Sequence, residues 1–96
     1  MTDGGTSPKD IGKRIVALRE ALGYNQAQFA ELVGLTQPAM SNYEKGFRRP
    51  DIDSAIKIQL RTGATLDWLY MGKRDGLPAH LLEKLPILDE QIRKAG

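Results

Sequence analysis

In the stretch TQPAMSNYEKG, residues 36–46, Gln37, Ser41 and Asn42 are the residue types that could recognise a hydrogen-bonding surface. A Gln or Asn amide carries a donor and an acceptor side by side, which is what base edges in a DNA major groove present. Met40 and Tyr43 give a helix here only a thin apolar stripe, and the three polar residues lie off it. The loop that follows, Phe47-Arg48-Arg49-Pro50, sets two adjacent guanidinium groups beside the helix end, where they suit phosphate oxygens. A two-residue basic run is also what an ordinary solvated loop carries. A surface helix in a small bundle would have the same composition, so on this stretch alone the two accounts stand level.

The elements that must hold these groups can be read on either side. Asn25 followed by Gln28 has the form of a capping box, so a helix can start at Gln26, and Phe29, Leu32 and Val33 then share one face. Gly34 stops that helix, because it takes the left-handed conformation at little cost. Thr36 can cap the next helix, and Pro38 is tolerated because it falls in the first turn. Gln26 to Gly46 is therefore expected to be two short helices joined by a tight turn.

Upstream, residues 1–6 are polar and Gly-rich and are expected to be disordered. Ser7-Pro8-Lys9-Asp10 opens a first helix, with Ile11, Ile15, Leu18 and Leu22 as its apolar stripe and Lys13, Arg14, Arg19 and Glu20 on its polar side. Simple solvation accounts for those charges. Downstream, Asp51 or Asp53 caps a fourth helix to about Thr62, whose apolar residues are numerous enough that part of it should be well buried. Thr65 caps a fifth, LDWLYM, apolar nearly all round, with surface to spare for a partner-facing patch. Beyond Gly76, Leu81, Leu85, Leu88 and Ile92 repeat the helical spacing across Pro86. That tail either folds back on the core or helps a second subunit dock.

Composition removes several classes of function. The 96 residues suffice for one small domain. No apolar run approaches a membrane span, and the N-terminus lacks the build of a signal peptide. The chain has no cysteine and one histidine, His80, so neither a disulfide framework nor a Cys/His metal site is available, in keeping with a reducing cytoplasm. A net charge of +2 does not announce a nucleic-acid partner, so that case rests on where Lys and Arg are placed. No nucleophile–base pair, metal cluster or phosphate-cradling loop is visible, and neither an enzyme nor a cofactor is expected.

From Ile11 to about Gly72 the chain resembles the lambda-repressor-like domains, the Cro and phage-repressor type of helix-turn-helix. The likeness rests on IGKRIVALREALGYNQAQFAELVGLTQPAMSNYEKGFRRP and on TGATLDWLYMG, about two-thirds of the chain. It implies an all-α, five-helix domain over residues 7–72, the second and third helices forming the motif, with residues 73–96 as a helical tail. By position it implies that Gln37, Pro38, Ser41 and Asn42 face base edges. Asn25, Gln26, Thr36, Phe47, Arg48 and Arg49 would hold the phosphate backbone, Gln26 from a helix N-terminus whose free N–H groups favour anions. Ala30 would let the motif's helices approach, and Arg19 and Glu44 would form an ion pair tying the first helix to the end of the third.

Three residues depart from the usual pattern. Pro38 replaces a polar reader, leaving apolar contact such as a thymine methyl. Gln59 stands where a small alanine is usual, and Thr62 where leucine is. The tail is too short for effector or self-cleavage domains. The resemblance thus implies a sequence-specific, double-stranded-DNA-binding transcriptional regulator, most simply a repressor, bacterial or phage-encoded and cytoplasmic. It would bind an operator as a homodimer. The alternative is a protein-interaction module, such as an antitoxin or adaptor, leaning on the tail and reading no DNA.

Overall fold

Five helices of this chain begin in one way: a side-chain oxygen just before the helix accepts a backbone N–H three residues on. Ser7 takes that of Asp10, Asn25 that of Gln28, Thr36 that of Ala39, Asp51 that of Ser54 and Thr65 that of Trp68. Each cap satisfies a donor that the helix itself cannot, worth about 0.5–2 kcal/mol. At Asp51 the Ser54 backbone N–H, then the Ser54 hydroxyl, hold the carboxyl below its ordinary pKa. Asn25 closes a full capping box, since its own N–H reaches Gln28 Oε1.

The computed structural model describes residues 5–85. Over that range the chain is all-helical: α1 Pro8–Ala21, α2 Gln26–Val33, α3 Gln37–Glu44, α4 Ile52–Thr62, α5 Leu66–Met71 and α6 Ala79–Lys84. Among the described residues no helix is long and apolar enough to cross a membrane. α1 packs on α3 and α5, α2 on α3 and α4, and α4 on α5. Ile11, Ile15 and Leu18 of α1, Phe29, Ala30 and Val33 of α2, and Met40 and Tyr43 of α3 meet Ala55, Ile58, Trp68 and Leu69 in one core.

The turn between α2 and α3 is made by Gly34 at φ +81°, its N–H donating to Glu31 O and the Leu35 N–H to Ala30 O. Both bonds answer carbonyls left over at the end of α2. Gly12 serves another purpose. A Cβ there would lie 2.5 Å from Tyr43 O and 2.6 Å from Glu44 O, so α1 can meet the end of α3 only because this residue has none.

Several expectations need correction. Arg14, placed on the solvated side of α1, is 2% exposed; its Nη1 donates to Leu69 O, a carbonyl left over at the end of α5, and its Nη2 to Gly5 O. Arg14 lies three residues after Ile11 and four before Leu18, within the apolar stripe, which is why the fold takes it in. Gly5 and Thr6 were expected to be disordered with the leading residues; instead Arg14 holds the Gly5 carbonyl and Arg49 the Thr6 carbonyl. Residues 1–4 lie outside the described residues.

On α4 it is Ser54, Ala55, Ile58 and Thr62 that are buried, while Ile52, Ile56 and Leu60 face outward. On α5 Trp68 and Leu69 are buried and Leu66 and Tyr70 half-buried, so that of its apolar side chains Met71 alone is left exposed for a partner-facing patch. The two departures in this region are accommodated. The Thr62 hydroxyl donates to Ile58 O and accepts from the Ala64 N–H, and Gln59 Oε1 accepts the Leu66 N–H at the start of α5. Leu77, Leu81 and Leu85 are buried in this chain's own core, so they are not available to a second subunit; Leu88 and Ile92 lie outside the described residues.

Candidate nucleic-acid interface

The polar face of α3 is held from behind by a chain of bonds running through three helices. Arg19 of α1 grips Glu44 with two parallel bonds, Nε to Oε2 at 2.9 Å and Nη2 to Oε1 at 3.2 Å, while its Nη1 donates to Tyr24 O. The two side chains are 15% and 6% exposed, so the pair is largely shielded from water. Glu44 Oε1 also accepts from Gln26 Nε2 at 3.0 Å, and Gln26 Oε1 in turn accepts from Gln37 Nε2 at 3.2 Å. The sequence of contacts is thus Arg19, Glu44, Gln26, Gln37, running from a shielded ion pair to an exposed amide.

The far end of that chain lies on the face expected to read bases. Gln37 and Pro38 are exposed, and Ser41 and Asn42 are half-exposed on the same helix, whose Met40 and Tyr43 are buried. With one N–H committed to Gln26, Gln37 keeps its carbonyl oxygen and a second N–H for a ligand, the bidentate pair that an adenine edge matches. The four expected readers therefore share one surface. Gln26, expected to face phosphate, spends both ends of its amide inside the network. Its backbone N–H, at the first position of α2, is one of those that a helix cannot satisfy and still suits an anion.

The other expected phosphate contacts flank this face. Asn25 Oδ1 is used in capping α2 and Thr36 Oγ1 in capping α3, which leaves the Asn25 amide N–H groups and the Thr36 hydroxyl proton as donors. Phe47, Arg48 and Arg49 are exposed, and Lys45 Nζ stands 5.7 Å from the centre of the Phe47 ring. Lys45 adds a cation to the loop that was not foreseen, although its place two residues before Phe47 was in plain view. Both flanks of the loop are fixed: the Tyr70 hydroxyl donates to Pro50 O at 2.8 Å, and the Tyr43 hydroxyl lies 3.2 Å from Ser54 Oγ. Burial, then the nearby Asp51 charge, pushes the Tyr70 pKa up, so that hydroxyl keeps its proton.

Comparison with known proteins agrees with the helix-turn-helix fold. A family profile described as helix-turn-helix matches residues 15–69. The chain is 35% identical over 63 residues to the HTH-type transcriptional regulator ImmR of Bacillus subtilis, covering 66% of this chain and 49% of that protein. It is 31% identical over 62 residues to an SPbeta prophage-derived uncharacterized HTH-type transcriptional regulator, YonR, of the same organism, covering 65% of this chain and 57% of that one. The chain spans about half the length of these curated relatives. No solved structure matches it.

Proposed function

The chain belongs to the helix-turn-helix family, and from that premise we propose that it is a sequence-specific double-stranded-DNA-binding transcriptional regulator, a repressor acting as a homodimer. α3 enters the major groove, which is wide enough for a helix, with Gln37, Pro38, Ser41 and Asn42 toward the base edges. Asn25, Gln26, Thr36, Phe47, Arg48 and Arg49 hold the phosphates on either side. The observation that carries this reading is the Arg19–Glu44–Gln26–Gln37 chain. A helix needing only to be solvated has no use for an exposed amide fixed from two other helices, whereas a base reader gains from being held before its ligand arrives.

Base readers and phosphate contacts have different signatures. Gln37→Ala should cost about 1–3 kcal/mol per half-site on the preferred sequence and little on random duplex. Arg48→Ala should weaken both alike and make the dependence of affinity on salt shallower by about one ion per lost contact. Fluorescence anisotropy with both duplexes over a salt series separates the two. Equal losses for Gln37→Ala on preferred and random DNA would remove it from the reading set.

A second reading, a protein-interaction module such as an antitoxin or adaptor, draws support from the exposed aliphatic side chains of α4. The same titration tests it, because a pure adaptor shows no salt-dependent affinity for duplex DNA.

A further inference from the structure

α1 carries a second face that the described residues leave uncovered. At about 100° per residue, Lys13, Val16, Ala17, Glu20 and Ala21 fall together on the side of α1 away from Ile11, Ile15 and Leu18. With Glu44 of α3 and Lys84 of α6 they line a groove of about 550 Å³. Its floor is apolar: Val16, Ala17 and Ala21 are half-buried, and the two alanines leave its depth unfilled. Lys13, Glu20 and Lys84 stand exposed on its rim, and among the described residues their side chains have no partner.

We infer that residues 86–96 of the same chain lie in this groove, along α1 from its Lys13 end to its Glu20 end. Lys84 is the last residue of α6, so the chain leaves that helix at the groove's edge. Leu85 is extended, at φ −92° and ψ 131°, as a residue before proline is driven to be, and this turns the chain off the axis of α6. A segment joined to the groove by so short a connection meets it at millimolar effective concentration, ahead of a diffusing competitor. Its composition matches as well. Ile87, Leu88 and Ile92 suit the apolar floor, and Asp89-Glu90 precedes Arg93-Lys94. The acidic and basic pairs stand about 6 Å apart along a helix or about 13 Å along an extended chain. Lys13 and Glu20 are about 10 Å apart along α1, between those limits. In this direction the acids meet Lys13 and the bases meet Glu20, whereas the opposite run would set like charges together at both ends.

In that place the segment closes water off from Glu44, the shared acceptor for Arg19 and Gln26, and backs the network that fixes Gln37. This consequence rests on the DNA-binding proposal; the docking itself does not.

Paramagnetic relaxation tests the docking without DNA. The chain has no cysteine, so Ala95→Cys takes a single nitroxide. In the isotope-labelled full chain it should broaden the amides of Glu20 and Ala21 more than that of Lys13, and leave Ile56 and Leu60 of α4 sharp. Leu88→Asp with Ile92→Asp should abolish the effect on α1, with circular dichroism confirming the fold. Lys13→Glu should lower the ratio of docked to undocked chain by about threefold or more, and adding Glu90→Lys should restore it. That swap lies on the solvent side and tests the same contact should the apolar variant unfold. Unbroadened α1 amides would overturn the inference, as would broadening that survives Leu88→Asp/Ile92→Asp unchanged or a charge swap no better than Lys13→Glu alone. So would equal broadening when isotope-labelled chain is mixed with separate spin-labelled chain, which would seat a second copy's segment in the groove. Leu88→Asp/Ile92→Asp should also lower the preference for a selected operator over random duplex by about fivefold or more, and an unchanged preference would overturn the backing of Gln37. Wild type with no preference between the duplexes would count against DNA reading and leave the docking standing.

Discussion

Glu44→Ala should lower the free energy of unfolding by about 3–5 kcal/mol, the usual cost of removing one partner from a shielded ion pair. Glu44 is the shared acceptor of the network: it receives two bonds from Arg19 and one from Gln26. Without it the Arg19 guanidinium keeps only the Tyr24 carbonyl, in a place where water reaches it poorly. A domain of this size has about 5–15 kcal/mol in all, so the variant should be close to unfolding on modest warming. The second consequence is functional. Gln26 loses its anchor and with it the fixed position of Gln37, so operator preference should fall even where the chain is still folded. Replacing both members, Arg19→Met with Glu44→Leu, separates the two effects. Apolar side chains in place of a shielded pair are often neutral or stabilising, so this variant should recover the melting temperature without recovering sequence preference. A Glu44→Ala protein that melts with wild type would show that the network does not hold the helices together.

Gly12→Ala should destabilise the protein by about 1–3 kcal/mol, although an alanine in a helix interior normally stabilises by up to about 1 kcal/mol. The sign reverses because of what the new methyl meets. Tyr43 O and Glu44 O at 2.5 and 2.6 Å belong to the backbone at the end of α3, and neither can rotate aside. α1 would have to move off α3, loosening Ile11 and Ile15 against Met40 and carrying Arg19 away from Glu44. Chemical denaturation measures the change. A Gly12→Ala variant more stable than wild type would mean that α1 and α3 are further apart than described.

Local chemistry was the legible part of this chain. Ser7, Asn25, Thr36 and Thr65 announce helix starts because a cap needs only its own side chain and a neighbour three residues on, and the choice left open between Asp51 and Asp53 falls to Asp51. Gly34 announces the turn for an equally local reason, and Gln37, Ser41 and Asn42 stand out as polar residues beside a thin apolar stripe. What the sequence hid is tertiary. The bond from Gln37 to Gln26 joins the first residues of α3 and α2 across one helix and a turn, and no spacing rule ties them. Arg14 reads as surface because it is charged, yet its position inside the Ile11–Leu18 stripe decides its burial. Gly12 reads as a weak point in a helix until a second backbone is seen against it. The apolar excess of α4 looks like core in the sequence, since hydrophobicity does not distinguish a residue buried in its own chain from one left exposed.

The central claim is that α3 reads DNA in a two-fold arrangement, and selection from random duplexes tests it most directly. Wild-type chain should enrich an inverted repeat whose half-sites lie about 34 Å apart, one turn of the duplex, on one face. Gln37→Ala should enrich the same repeat with one position per half-site relaxed. If repeated rounds with folded wild-type protein enriched no sequence over the starting pool, the claim would be contradicted.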